Sequence, residues 1–126
     1  MTAGDGRVKR LASEKSTEHI PDIVKGLKTA PQEGKERLAH LLDIIATQNR
    51  DNPMAIAKAG GIKLLVDMVS SGTDGGQLHA ASTLATLAGS AKELQLQIVQ
   101  AGAIGPLVSL LKQGSNKAQV FAAAAV

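Results

Sequence analysis

At 126 residues the chain suits one ordinary domain, and 44% of it is apolar, yet it holds a single aromatic residue, Phe121, and no Trp, Tyr or Cys. Without cysteine there is no disulfide framework and no thiol chemistry, and no stretch approaches the roughly 20 apolar residues that cross a bilayer. The net charge of +3 arises from fourteen Lys and Arg interspersed with eleven Asp and Glu, which speaks against the concentrated basic face of a nucleic-acid binder.

Ala, Leu, Ile and Val must therefore supply the core. Ala and Leu are the best helix formers, whereas sheets draw on aromatic and β-branched residues, so an all-α fold is expected. Residues 1–19 read as a flexible or polar tail or a solvated cap. Met1-Thr2-Ala3-Gly4-Asp5-Gly6 offers neither an apolar signal core nor a glycine at position 2, and positions 7–18, including Arg7-Val8-Lys9-Arg10, are mostly polar. The chain is expected to be soluble and intracellular, cytoplasmic or nuclear.

From residue 20 onward the sequence repeats. Displaced by 42 positions, residues 57–84 fall on 99–126 with 9 of 28 identical, among them Gly60/Gly102, Leu65/Leu107 and Ala80/Ala122. Three apolar quartets share the i, i+3, i+4, i+7 spacing of one helical face: Ile20, Ile23, Val24, Leu27; Ile62, Leu65, Val66, Val69; and Ile104, Leu107, Val108, Leu111. Pro21 and Pro106 are expected in the first turns of the first and last of these helices, where a missing N–H is harmless.

Each unit then reads as three helices with punctuation. The first copy of its third helix carries Leu38, Ala39, Leu42, Ile45 and Ala46. Asp51-Asn52-Pro53 predicts an N-cap with proline at the first helical position, opening a short helix to about Lys58. Gly60 and Gly102 fall where left-handed termination is expected, and second helices follow over about 62–70 and 104–113. A further third helix runs over about 76–88. Ser90 with Glu93 predicts a capping box for the next short helix. Val126 falls inside the apolar run that begins at Phe121, so the chain is expected to be a fragment of a longer array.

Ala101-Gly102-Ala103-Ile104-Gly105-Pro106-Leu107-Val108-Ser109-Leu110-Leu111 and Gln77-Leu78-His79-Ala80-Ala81-Ser82-Thr83-Leu84-Ala85-Thr86-Leu87-Ala88 resemble the second and third helices of armadillo repeats. The resemblance is good over 52–126, weaker over 20–51 and absent before. It implies a right-handed α-solenoid of about two and a half repeats, with units of about 20–61, 62–103 and 104–126, whose third helices line a concave groove. Nuclear-import adaptors of this family grip basic peptides with a Trp and an Asn four residues later. The matching positions here are His40 and Ile44, Ser82 and Thr86, and Ala124, so the resemblance does not extend to nuclear-signal binding.

On that pattern the groove-facing candidates are Arg37, His40, Ile44, His79, Ser82, Thr86 and Phe121. The expected role is a protein-interaction scaffold with protein partners, no small-molecule substrate, no cofactor and no metal. The alternatives are a non-catalytic region of a larger enzyme, such as a ubiquitin ligase, or an architectural subunit of a large assembly. No catalytic pattern is found. Gly60-Gly61 and Gly75-Gly76 sit at helix junctions, Gly114-Ser115-Asn116-Lys117 lacks a phosphate loop's spacing, and Asp67 and Asp74 lie near turns in water.

Overall fold

The computed structural model describes residues 17–113. Phe121 and Ala124, and nearly all of the tail expected over 1–19, lie outside these residues. Among them seven helices follow one another without a strand: α1 (17–29), α2 (Gln32–Gln48), α3 (Asn52–Lys58), α4 (Gly61–Ser71), α5 (Asp74–Ser90), α6 (Lys92–Gln100) and α7 (Ile104–Gln113). The chain is an all-α solenoid.

The repeat in the sequence is a repeat in space. The short helices α3 and α6 both end on a glycine in the left-handed region, Gly60 at φ 87° and Gly102 at φ 83°, the only positive-φ residues among those described. The amides of Ala59 and Gly60 bond to the carbonyls of Ala55 and Ala57, and those of Ala101 and Gly102 to Gln97 and Val99, so both helix ends close in the same way. Beyond Gly102 the axis bends by 83° from α6 into α7.

Packing follows the period. The third helices α2 and α5 lie against each other, as do the second helices α4 and α7, and α5 also packs on α4 and α6. The quartets of α1 and α4 are buried as the spacing predicts, and Ala39, Ala80 and Ala81 are wholly enclosed with Leu42, Leu84 and Leu87. In α7 the pattern shifts. Leu107 and Leu110 are buried while Ile104 is 40% exposed. No buried side-chain polar atom among the described residues lacks a partner.

Three local expectations differ from what forms. Ser90 makes no capping box: α5 runs on through it, its hydroxyl donates to the Leu87 carbonyl at 2.7 Å, and α6 starts after Ala91 with no side-chain cap. The cap that does form is Thr73 on α5, whose Oγ1 accepts the Gly76 amide at 3.0 Å. Pro21 lies beyond a first turn that is already helical at residue 17.

Gly72 ends α4 with an ordinary negative φ, so its reason is space. A Cβ there would stand 2.5 Å from the Met68 carbonyl oxygen, which accepts the Gly72 amide. Gly72→Ala is therefore expected to cost about 1–3 kcal/mol by overpacking a backbone that cannot yield. Urea denaturation followed by circular dichroism measures it, and a loss below half a unit of kcal/mol, roughly the level of a neutral surface change, would contradict the close approach.

Candidate functional site

The α2–α5 pair presents the face on which the sequence places its candidates. Asp43 sits at the seam. Ser82 Oγ donates to Asp43 Oδ1 at 2.8 Å, and His79 Nδ1 lies 3.3 Å from Asp43 Oδ2, donating in the tautomer protonated there. The His79 ring in turn stacks on His40 of α2, with centroids 4.2 Å apart and planes within 12°. Stacking of rings adds to simple burial, and here it joins two consecutive units.

The candidates thus divide. Arg37, His40 and Ile44 are exposed along α2, one helical turn apart, and open to a partner. His79 is half-buried as the underside of the stack. Ser82 is buried at 8% exposure and serves as a latch between helices, a departure from its reading as a groove contact. Its hydroxyl is drawn inward because the Asp43 carboxylate is the acceptor within reach. Thr86 is half-buried, and its hydroxyl donates back to the Ser82 carbonyl at 3.2 Å. Phe121 lies outside the described residues.

Sequence reasoning passed over Asp43. It stands one turn after His40, but its counterpart 42 positions on is Ala85, so the repeat gives no hint of it. Its signal is available only as a carboxylate on the same helical face as a histidine. Leu41 was passed over too. It is 41% exposed, whereas its counterpart Thr83 is fully buried where α5 meets α2.

A serine, an aspartate and a histidine in one cluster invite comparison with a hydrolytic triad, but the order is wrong. In a working triad the base lies between the other two and takes the serine proton. Here the carboxylate lies between, accepting from Ser82 on one oxygen and facing His79 Nδ1 with the other, and Ser82 is buried. The hydroxyl's partner is that carboxylate and not an imidazole. Among the described residues no group of three His, Asp or Glu side chains is arranged to hold a metal ion, and no single helix is long and apolar enough to cross a membrane.

Comparison with known proteins agrees with this geometry. Residues 49–89, which span α3, α4 and α5, match the model of the armadillo/beta-catenin-like repeat. The chain is 36% identical over 69 residues, 55% of its length, to the human (Homo sapiens) armadillo repeat-containing protein 3. It is 30% identical over 86 residues, 67% of its length, to U-box domain-containing protein 12 of Oryza sativa subsp. japonica. It spans only 8% and 14% of those two relatives.

Among solved structures, a designed armadillo repeat protein in complex with the peptide (KR)4 superposes with a TM-score of 0.80 at 24% identity, over 90% of this chain and 49% of that one. Computationally designed armadillo repeat proteins for modular peptide recognition give 0.77 at 25% identity, over 84% and 44%. The 42-residue unit with its left-handed glycines, its paired third helices and these likenesses make the chain a member of the armadillo-repeat family.

Proposed function

We propose that the chain is a protein-binding scaffold segment with no chemistry of its own, holding an extended stretch of a partner protein along the face shared by α2 and α5. One observation carries this reading. Arg37, His40 and Ile44 offer a cation, a flat π surface and an apolar side chain in one exposed row, on a helix pinned to its neighbour by the imidazole stack and the Asp43 bridge. A row fixed in advance loses little conformational freedom on binding, which is where much of the cost of holding a flexible segment lies. The designed relatives made for modular peptide recognition support the same use of the fold.

A second reading, in which this segment holds substrate for a larger enzyme such as a ubiquitin ligase, draws on the likeness to the U-box domain-containing protein. Both readings place the partner on the same face. The test is a displayed library of extended peptides selected against the 126-residue chain, followed by anisotropy measurements on the best binder. Ile44→Glu is expected to weaken that binder by about tenfold or more, the effect of losing one apolar contact in a binding core, while Lys58→Glu, at the exposed last residue of α3, leaves it unchanged. Equal loss in both variants, or in neither, would place the binding surface elsewhere.

A further inference from the structure

The structure has a second concavity, away from the His40–His79 stack. It is a hollow of about 320 Å³ between the end of α1, the start of α2 and the outer side of α4. This volume lies at the lower end of the range of small-ligand sites, roughly 300–1,000 Å³. Leu27, Leu64 and Met68 line it with hydrocarbon, Leu27 and Met68 being nearly closed off from solvent. Lys28 and Lys35 line it with charge, and neither forms an ion pair with another described residue. The one carboxylate there, Asp67, is 3.8 Å from Lys63, an exposed pair one turn apart. The hollow therefore carries an excess of positive charge.

A further feature has the same sign. Gln32, the first residue of α2, also lines the hollow, and the N-cap before it, Pro31, makes no side-chain cap. The positive end of a 17-residue helix thus stands at the rim with its first amides unsatisfied by any side chain. A purely apolar ligand would leave the two ammonium groups and these amides to water. A bare anion would leave the hydrocarbon wet.

We propose that this hollow binds an aliphatic group bearing a carboxylate, with the chain in the apolar part and the carboxylate between Lys28 and Lys35. Two sources share this chemistry, a free amphipathic acid and a Leu beside a Glu in a partner protein. The site is separate from the α2–α5 face and stands or falls independently of it.

The test follows the methionine methyl resonances of the intact chain, labelled with ¹³C, during titration with octanoate, octan-1-ol and an acetylated Glu-Leu dipeptide amide. The Met68 methyl is expected to shift saturably with octanoate or the dipeptide while Met54 on α3 stays still. Octan-1-ol, and octanoate added to a Lys28→Glu/Lys35→Glu chain with an unchanged melting curve, should need about tenfold more ligand or greater, the consequence of losing charge-assisted contacts. A response to octanoate alone assigns the site to a free acid, and a response to the dipeptide assigns it to a partner segment. An absent or unsaturable shift at Met68 overturns the proposal, as does octan-1-ol binding as well as octanoate. Should the double variant fail to fold, the octan-1-ol comparison still decides, because it uses the unaltered chain.

Discussion

Leu84→Ala lowers the unfolding free energy by about 2–5 kcal/mol. Leu84 has no exposed surface and sits in α5, the helix that packs on α2, α4 and α6 together. Removing most of its side chain discards transfer free energy and opens a cavity. The surrounding helices cannot close it, because the alanines beside it, Ala80 and Ala81, are already fully enclosed. In a solenoid each unit is held by its neighbours, so a hole in the shared helix loosens both interfaces at once. Urea denaturation followed by circular dichroism measures the loss. Leu96→Ala is the matched control, since Leu96 is 59% exposed on α6 and its truncation should cost less than about 0.5 kcal/mol. Equal costs at the two positions would mean that α5 is not the central helix.

Asn52→Asp has an effect of similar size and a distinct pH signature. Asn52 is fully buried at the start of α3. Its Nδ2 donates to the Ile45 carbonyl at 2.8 Å, near the C-terminus of α2, and its Oδ1 accepts from the Thr17 hydroxyl of α1. The amide thus ties three helices across a point where no water reaches. Exchanging its NH₂ for a second oxygen sets acceptor against acceptor at Ile45 and adds a buried charge. The expected cost near neutral pH is about 3 kcal/mol or more. Burial raises a carboxyl's folded pKa above its unfolded value, so both states are neutral in acid and only the unfolded state ionises readily as pH rises. The deficit should therefore shrink as the pH is lowered toward about 4, near the unperturbed aspartate value. Stability measured against pH tests this, and a deficit that does not change with pH would show that Asn52 is solvated.

The role of Asn52 also marks where sequence reading stops. Asp51-Asn52-Pro53 has the composition of a helix start, and a helix does start there. Yet no side chain caps it, and the asparagine reaches back seven residues to the helix before. Gln95 does the same in the next unit, its Nε2 donating to the Ala88 carbonyl at 2.8 Å. Two amides close two successive third helices. Because Gln95 lies 43 positions after Asn52, a 42-residue offset aligns Asn52 with the buried Leu94 and hides the correspondence.

What the sequence does carry is whatever depends on neighbours along the chain. The quartets at Ile20 and Ile62 follow from the helical period alone, and Gly60 and Gly102 follow from the cost of a left-handed turn to any other residue. What depends on contacts between units is not written in a local pattern. The inward turn of Ser82 requires Asp43, 39 residues earlier, and the parallel rings of His40 and His79 require the spacing of two helices. Ser90 with Glu93 satisfied a local rule for a helix start. It lost to α5, which continues through Ser90 and uses its hydroxyl for its own last turn.

The central claim is that the third helices of consecutive units are locked together into one face, and a double-mutant cycle on Asp43→Ala and Ser82→Ala tests it most directly. The two side chains meet at 2.8 Å across α2 and α5, and Ser82 is shielded from water. The hydrogen bond between them predicts a coupling of about 1–2 kcal/mol, with the double variant losing less than the two single variants together. Strict additivity within about 0.3 kcal/mol would mean that Asp43 and Ser82 do not meet, and that α2 and α5 do not form the face described.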